Sequence, residues 1–230
     1  MKKAKQPKQH KVLIAVPTMA TVPVGFLTSF VELRTNGMAR LAVESNSLVY
    51  EARNHLAVRA VEAGCDYILW LDSDMMFPPD ALLRLVEDAE KTGAEYVSGL
   101  YFTRAFPVRP MIAKNLEWWQ DEDGVAGNSV ELYHDYPKDS LFEIEGGGFG
   151  CVLTSVQLIA DVTEHFKGSP FAPLPTFGED FSFCWRVKQL GRKMLCDSSV
   201  KCRHIGMLLF GEDTYERQNA AKGGGVRDVR

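Results

Sequence analysis

The sequence has no long apolar run, and its longest ones, such as residues 67–71, are far too short to span a bilayer. Residues 1–11 carry five lysines and almost no apolar side chains, and no apolar segment of a secretory signal follows them. We therefore expect a flexible basic N-terminus over residues 1–11 and no transmembrane segment in the chain.

Paired cysteines are also missing. The five cysteines are odd in number and scattered, which argues against a disulfide scaffold and is typical of unpaired thiols in a reducing compartment. Cys196, Cys202 and His204 are possible zinc ligands, but the lack of any CxxC pair disfavours a structural zinc site. We therefore expect a cytoplasmic protein.

A strong excess of charge of one sign is absent as well. The net charge of -4 argues against a chain-wide basic nucleic-acid binder, although a local basic patch stays open. Hydrophobic residues make up 46% of the 230 residues, which is enough for the core of one large α/β domain. No internal repeat is visible in the sequence.

What the first hundred residues do have is an alternation of strand-like and helix-like segments. Apolar, β-branched runs predict strands, and apolar residues at helical spacing predict helices. These segments alternate along the chain at residues 12–16, 23–36, 39–44, 48–63, 66–71, 78–92 and 94–100. The alternation predicts a parallel, doubly wound sheet with flanking helices.

The second half has a different pattern of short strands, turns and glycine-rich segments. We predict a turn over residues 118–128 between two short strands at 111–113 and 129–133, and a glycine-rich bend over 142–150. Further helices are predicted at 154–165 and 179–190, and further strands at 193–196 and 200–205. The polar segment at 211–230 is predicted to be a C-terminal tail.

Two carboxylates, Asp72 and Asp74, follow directly after the apolar strand at 66–71. In an open parallel sheet, ligands bind beyond the carboxyl ends of the strands. Neighbouring carboxylates repel each other unless water or a cation bridges them, and a hard divalent cation can complete its shell with phosphate oxygens. An Asp-rich turn without function is the alternative, but the strand before it favours the metal site.

Other polar residues add to this pattern. Gly178-Glu179-Asp180 precedes a helix, where its acids either stabilise the helix start or take a proton from a hydroxyl group. His204, near the end of a strand-like segment, is either a core residue or a metal ligand. Arg53 lies with its neighbour Asn54 on the second helix, where both either face solvent or contact a nucleotide.

The glycine-rich segment at 146–150 lets a ligand approach the backbone closely, and we expect it to form the acceptor-side wall of a pocket. It is neither a P-loop, because no GK[ST] follows, nor a GxGxxG after the first strand, so a dinucleotide is not expected. Several aromatic residues form either a stacking floor for a sugar ring or ordinary packing, namely Phe102, Phe106, Trp118, Trp119 and Phe149.

In their order and spacing these motifs resemble the GT-A fold glycosyltransferases, especially family 2. The resemblance covers roughly residues 12–204 and rests on the following motifs: the strand that ends in Pro17-Thr18, the strand end Val43-Glu44, Asp72-Ser73-Asp74, Gly178-Glu179-Asp180 before a helix with Arg186, and the late His204. The compact chain is also similar to glycosyltransferases of bacteriophages.

The resemblance implies an α/β fold of the GT-A type, with a Rossmann-like, mostly parallel central sheet and a small mixed second half. It implies one domain over residues 12–210, with a nucleotide-binding half at 12–104 and an acceptor half at 105–210. The activity would be transfer from a UDP- or GDP-sugar to an acceptor hydroxyl with Mn²⁺ or Mg²⁺ as cofactor. We expect inversion of configuration.

The family's functional residues carry over by position. The implied nucleotide contacts are Pro17, Thr18, Glu44, Arg53, Asn54, Asp72 and Ser73. The implied metal ligands are Asp72, Asp74 and His204. The implied catalytic base is Asp180, with Glu179 beside it.

The sequence also departs from the family pattern and leaves alternatives open. Glu44-Ser45 stands where paired acids usually follow the second strand, and the QxxRW motif of processive synthases is absent, which favours a single transfer. A nucleotidyltransferase would normally carry a Gly-rich, Arg-containing loop in place of residues 17–21. A non-catalytic sugar-nucleotide or glycan-binding module is the other alternative. The acceptor stays open among a glycan, a protein, a small molecule and a modified DNA base.

Overall fold

The computed structural model describes residues 10–206 and 209–223, with the side chains of 222 and 223 left out. Nearly all of the predicted basic N-terminus, residues 1–9, lies outside the described residues. The first half contains β1 (Val12–Thr18), α1 (Val24–Glu32), β2 (Ala39–Ser45), α2 (Val49–Glu62), β3 (Tyr67–Leu71), β4 (Met75–Met76), α3 (Ala81–Thr92) and β5 (Tyr96–Leu100). The predicted alternation of strands and helices is confirmed.

The second half is richer in short strands. It contains β6 (Ile112–Gln120), β7 (Ala126–Leu132), β8 (Leu141–Ile144), β9 (Gly146–Gly147), β10 (Cys151–Ser155), α4 (Val156–Phe166), α5 (Glu179–Gln189), β11 (Met194–Lys201), β12 (Arg203–Ile205), β13 (Leu209–Phe210) and α6 (Glu212–Gly223).

The main sheet has seven strands in the order β2-β1-β3-β10-β5-β11-β8. Strands β2, β1, β3, β5 and β11 run in one direction, while β10 and β8 are antiparallel to their neighbours. The helices bury their apolar faces against this sheet, as Leu56 on α2 and Leu82 on α3 do. The predicted α/β fold with a mostly parallel central sheet is confirmed.

Two smaller sheets lie beside the main one. Strands β13, β12 and β4 form the first, in which His204 pairs with Met75. Strands β7, β6 and β9 form the second. The β12–β4 pairing places a residue from the end of the chain next to the turn that follows β3, and so brings His204 to the predicted metal site.

The turn predicted over residues 118–128 is wrong, because most of that segment is a hairpin. Trp118 pairs with Asn128 and Trp119 with Gly127, so β6 and β7 continue well into it. The chain reverses only between the strands, where the Asp121 carboxylate accepts hydrogen bonds from following backbone N–H groups. Such local Asp-to-backbone bonds are what stabilise tight turns.

Two further expectations need correction. The helix predicted from residue 154 begins only at Val156, because Thr154 and Ser155 belong to β10, and the Ser155 hydroxyl caps α4 by accepting from the Leu158 N–H at 2.9 Å. The segment predicted as a tail from residue 211 contains helix α6. Tyr215 of α6 packs against Phe102, with 5.1 Å between the ring centroids.

Candidate active site

A cleft of about 500 Å³ lies beyond the carboxyl ends of β1 and β3, beside the start of α2. Ligands of open α/β sheets bind at this edge because the loops that leave the strands diverge there. The residues that line the cleft are Pro17, Thr18, Met19, Thr21, Pro23, Ser47, Val49, Ala52, Arg53, Asp72, Ser73, Asp74, Arg104, Glu179 and His204.

Arg53 forms the floor of the cleft and joins its two acidic segments. Its Nη2 donates to Asp72 Oδ1 at 2.7 Å and its Nε donates to Glu179 Oε1 at 3.2 Å. The side chain is only 2% exposed, and the guanidinium lies 5.2 Å from the centroid of the Phe149 ring. Its Nη1 is buried and has no hydrogen-bond partner among the described residues. An unpaired buried donor is costly, so this nitrogen suits an anionic ligand.

Asp74 lies at the mouth of the cleft and meets two cationic or polar groups. Its Oδ2 is 3.3 Å from His204 Nε2, and the same oxygen forms an ion pair with Arg104. His204 Nδ1 is 3.0 Å from the backbone oxygen of Phe102, which can only accept. Nδ1 therefore donates. Nε2 donates to Asp74 when the ring carries a second proton, whereas in the neutral ring its lone pair is available to a metal.

The two acids of the Asp72–Asp74 turn differ in their pKa values. Burial raises the pKa of Asp72 above its usual range, although the Arg53 guanidinium opposes the shift. Burial would raise the pKa of Asp74 as well, but the hydrogen bond from His204 and the charge of Arg104 outweigh it and lower that pKa. Asp74 is therefore the carboxylate that stays charged most readily.

Asp180 lies in the first turn of helix α5, next to Glu179. Its Oδ1 accepts a hydrogen bond from the Phe181 N–H at 2.7 Å. Burial and the neighbouring Glu179 charge raise the pKa of Asp180 to about 6. A carboxylate with such a pKa is largely ionised at neutral pH and yet basic enough to accept a proton from a hydroxyl group.

The glycine-rich segment packs beside Asp72 and Tyr101 but is not among the residues that line the cleft, so its assignment as the acceptor-side wall stays a prediction. The Gly150 N–H donates to the Tyr101 hydroxyl at 3.2 Å, and the Gly150 oxygen accepts from the Asp72 N–H at 3.1 Å. A Cβ atom on Gly148 would lie 1.9 Å from the Tyr101 hydroxyl oxygen, so only glycine permits this approach. The Tyr101 ring meets the His204 ring edge to face at 5.7 Å.

The structure brings most of the predicted site residues together, with three exceptions. Asp180 is not among the residues that line the cleft, although it lies close enough to Glu179, Arg53 and Asp72 for their charges to act on its pKa. Asn54 points away from the cleft, and its Oδ1 accepts a hydrogen bond from the Phe171 N–H at 3.2 Å. Glu44 is not among the residues that line the cleft, and its carboxylate pairs with Arg59 at 2.7 Å and with His55 at 3.2 Å. Their assignment as nucleotide contacts remains a prediction that this arrangement does not support.

The predicted aromatic floor is divided between the core and the surface. Phe102 and Phe149 are buried, and Trp118 packs against Trp185 at 5.2 Å between ring centroids. Phe106 and Trp119 are exposed. None of the five lines the cleft, so the packing alternative holds for the two buried rings.

Three polar residues of the cleft escaped prediction, namely Thr21, Ser47 and Arg104. Arg104 lies in an irregular loop after β5, where no periodic pattern marks a functional side chain. Ser47 precedes α2, and its buried hydroxyl has no partner among the described residues. A serine shortly before a helix marks a candidate cap and not a site residue, and in the structure Leu48 is the cap position and no side chain caps α2.

The donor set for a metal ion is small. In the part of the chain that the structure describes, no group of three or more His, Cys, Asp or Glu side chains is arranged to hold a metal. Asp72 is bound to Arg53, so Asp74 and His204 are the two protein donors that fit a divalent cation. Oxygens of a bound phosphate and water would have to complete the shell.

Comparisons with known proteins agree with this architecture. Residues 41–135 match the family model described as glycosyl transferase family 2. The crystal structure of A197 from STIV is similar with a TM-score of 0.61 at 17% identity, over 85% of this chain and 86% of that chain. This chain has the GT-A fold and resembles glycosyltransferase family 2.

A second solved structure, of GalNAc-T7 with UDP, GalNAc and Mn²⁺, matches with a TM-score of 0.57 at 12% identity. The match covers 94% of this chain but only 48% of that one. No curated protein matches the chain. The family match includes Asp72 and Asp74 but ends before Asp180 and His204, so their places in this GT-A fold rest on the structure alone.

Sugar transfer is therefore the general class of activity that the family match supports. As to membranes, no helix in residues 10–206 and 209–223 is both long and apolar enough to cross a bilayer.

Proposed function

We propose that this protein is a metal-dependent glycosyltransferase that moves a sugar from a UDP- or GDP-sugar to an acceptor hydroxyl group. The observation that carries the proposal is the meeting of Asp74 and His204, which are 130 residues apart in sequence and 3.3 Å apart in space. They face the same cleft as Arg53 and Glu179. An acid and an oriented histidine beside a buried arginine suit a metal-bound diphosphate.

The floor of the cleft offers groups that fit the diphosphate of a donor. Helix α2 begins beside the cleft without a side-chain cap, so its first N–H groups are available to an anion. The unpartnered Arg53 Nη1 and Ser47 hydroxyl lie in the same region. Pro17 and Thr18 at the end of β1 would then line the nucleoside.

Asp74 and His204 would hold the Mn²⁺ or Mg²⁺ ion, whose positive charge would stabilise the diphosphate as it leaves. Arg53 keeps Glu179 and Asp72 in place at the floor through its two hydrogen bonds. Asp180 would take the proton of the acceptor hydroxyl while that oxygen forms its bond to the anomeric carbon and the bond to the diphosphate breaks. Attack opposite to the leaving group inverts the configuration.

The test is to incubate the protein with UDP- and GDP-sugars, with and without Mn²⁺ and with candidate acceptors, and to measure release of the nucleoside diphosphate. Asp74→Ala is compared with Asp80→Ala, which removes an acid that pairs with Arg34 outside the cleft. We expect metal-dependent release from one donor, lost in the first variant and kept in the second. Binding of UDP or GDP without any release or transfer would instead support a binding module.

The anomeric configuration of the product tests the role of Asp180 separately. We expect NMR of the product to show the configuration opposite to that of the donor sugar. Retention would contradict Asp180 as the base, since a retaining enzyme does not deprotonate the acceptor for direct displacement from the opposite face.

A further inference from the structure

The ion pair at the mouth of the cleft involves an unusual partner for a metal-binding acid. Arg104 contacts Asp74 Oδ2, the same oxygen that faces His204 Nε2. A cation held by Asp74 and His204 would have to occupy the space next to this oxygen. Arg104 and a divalent cation therefore compete for one carboxylate oxygen.

The exposure of the pair makes the contact exchangeable. The Arg104 side chain is 59% exposed, so water can replace Asp74 around its guanidinium at little cost. Arg53, by contrast, is 2% exposed and could not leave Asp72 without stranding a buried charge.

The loop that carries Arg104 is itself held at the cleft. The side-chain amide of Gln218 on α6 forms two hydrogen bonds with the backbone of Val108. It accepts from the Val108 N–H at 2.6 Å and donates to the Val108 oxygen at 3.0 Å. Phe106 of the same loop packs against Phe210, with ring centroids 5.6 Å apart. Arg104 thus stays at the mouth of the cleft whether or not it contacts Asp74.

We propose that Arg104 is an exchangeable counter-ion that makes metal binding at Asp74 depend on the nucleotide. Without nucleotide, the guanidinium neutralises Asp74 and weakens its affinity for the cation. When a nucleoside diphosphate enters, its phosphates offer the guanidinium another anion within the cleft that Arg104 lines, and Asp74 is left to the cation. The inference rests on the proposed function, since it assumes a diphosphate in this cleft.

The experiment is calorimetric titration of Mn²⁺ into the full-length protein, alone and with saturating UDP or GDP. Arg104→Ala is compared with Arg109→Ala, which removes the same charge from an exposed side chain of the same loop. We expect Arg104→Ala to bind Mn²⁺ alone about fivefold more tightly than the wild type, the upper range for an exposed ion pair. The enhancement of Mn²⁺ affinity by the nucleotide should shrink in this variant alone.

Gln218→Ala provides a second variant, which keeps the Arg104 side chain but removes the hydrogen bonds that hold its loop. Because it frees the loop, we expect it to shift the affinity for Mn²⁺ alone in the same direction and by a smaller factor. Equal Mn²⁺ affinities in the wild type, Arg104→Ala and Arg109→Ala would overturn the proposal. Independent binding of Mn²⁺ and nucleotide to the wild type, or no Mn²⁺ binding at all, would overturn it too.

The outcome can be separated from that of the proposed function. Metal-dependent sugar transfer without coupled binding would reject the counter-ion and keep the transferase. Coupled binding of Mn²⁺ and nucleotide that weakens in Arg104→Ala but not in Arg109→Ala, without release of a nucleoside diphosphate from any donor, would keep the counter-ion and reject the transferase.

Discussion

Two acids from the same turn, Asp72 at the floor of the cleft and Asp74 at its mouth, have pKa values that are shifted in opposite directions. At the floor, Asp72 is bound by the buried Arg53, and its pKa is raised by burial. At the mouth, Asp74 is bound by the exposed Arg104 and by His204, and its pKa is lowered by these contacts in spite of burial. Only two positions along the chain separate them.

The difference indicates a division of labour. A buried arginine that bridges Asp72 and Glu179 cannot be exchanged without leaving charges in a dry environment, so the floor is a structural and anion-binding element. The mouth keeps a readily ionised carboxylate with a partner that solvent can replace. A cation site requires a readily ionised acid such as Asp74, and the buried pair of Asp72 with Arg53 stabilises the cleft around it.

The largest effect that would test this division is on stability. Arg53→Leu removes the partner of both Asp72 and Glu179, and we expect it to lower the free energy of unfolding by about 3–5 kcal/mol. The matched substitution at the mouth, Arg104→Leu, should cost less than about 1 kcal/mol. Urea unfolding followed by circular dichroism measures both. Similar losses in the two variants would break the comparison.

The next effect concerns catalysis. Asp74→Asn keeps the shape of the side chain and removes the charge at the mouth, and we expect kcat/KM to fall about a thousandfold, or about 4 kcal/mol, because the metal loses a charged ligand. Steady-state kinetics with the donor found in the panel measures the change. Asp80→Asn serves as the control. An unchanged kcat/KM in Asp74→Asn would remove Asp74 from the site.

A smaller effect is expected from pH. Asp180 must be deprotonated to act as a base, and its pKa is raised to about 6. We therefore expect kcat/KM to fall about tenfold for each pH unit below 6 and to level off above 7. The pH profile should be recorded with the intact metal-loaded protein. A flat profile between pH 5 and 7 would argue that another group accepts the proton.

The smallest effect is a gain in stability at the expense of activity. Because its pKa is raised in the folded state, Asp180 is more easily protonated there than in the unfolded chain, so stability falls as pH rises from about 4 to about 6. Asp180→Asn mimics the protonated form and keeps the acceptor for the Phe181 N–H. We expect a gain of about 1 kcal/mol at pH 7, after allowance for solvent screening.

The gain should vanish at about pH 3, where Asp180 is protonated in both states. Thermal unfolding at the two pH values measures it, and the matched Glu179→Gln should show no gain because it weakens the contact with Arg53. A loss of stability in Asp180→Asn at pH 7 would contradict the raised pKa.

Much of the fold could be predicted from local patterns. Residues 12–16 form a strand because both faces of the central sheet are covered and every side chain there is apolar. The helix at 49–62 shows its buried face through Leu56 and its small neighbours. Such patterns repeat through the first half, where α2 packs against its chain neighbours β2 and β3, and α3 packs against β5.

The second half resisted prediction for a physical reason. Cys151–Ser155 is short and apolar and runs directly into a helix, so no local pattern shows that it inserts antiparallel between β3 and β5. The hairpin around residues 121–125 was hidden by acidic residues and glycines that suggested a longer turn. The structure of such segments depends on pairing with strands that are distant in the chain, and residue propensities over a short window carry no information about that pairing.

The sequence by itself determined the element types of the first half and the residue types of the site, because hydrophobic periodicity and acids after a strand are local features. Only the tertiary structure decided which of these residues meet. It brought His204 to Asp74, turned Asn54 and Glu44 away from the cleft, and placed Arg104 on the oxygen that a metal would need. Those contacts depend on packing between segments far apart in the chain, which no local pattern records.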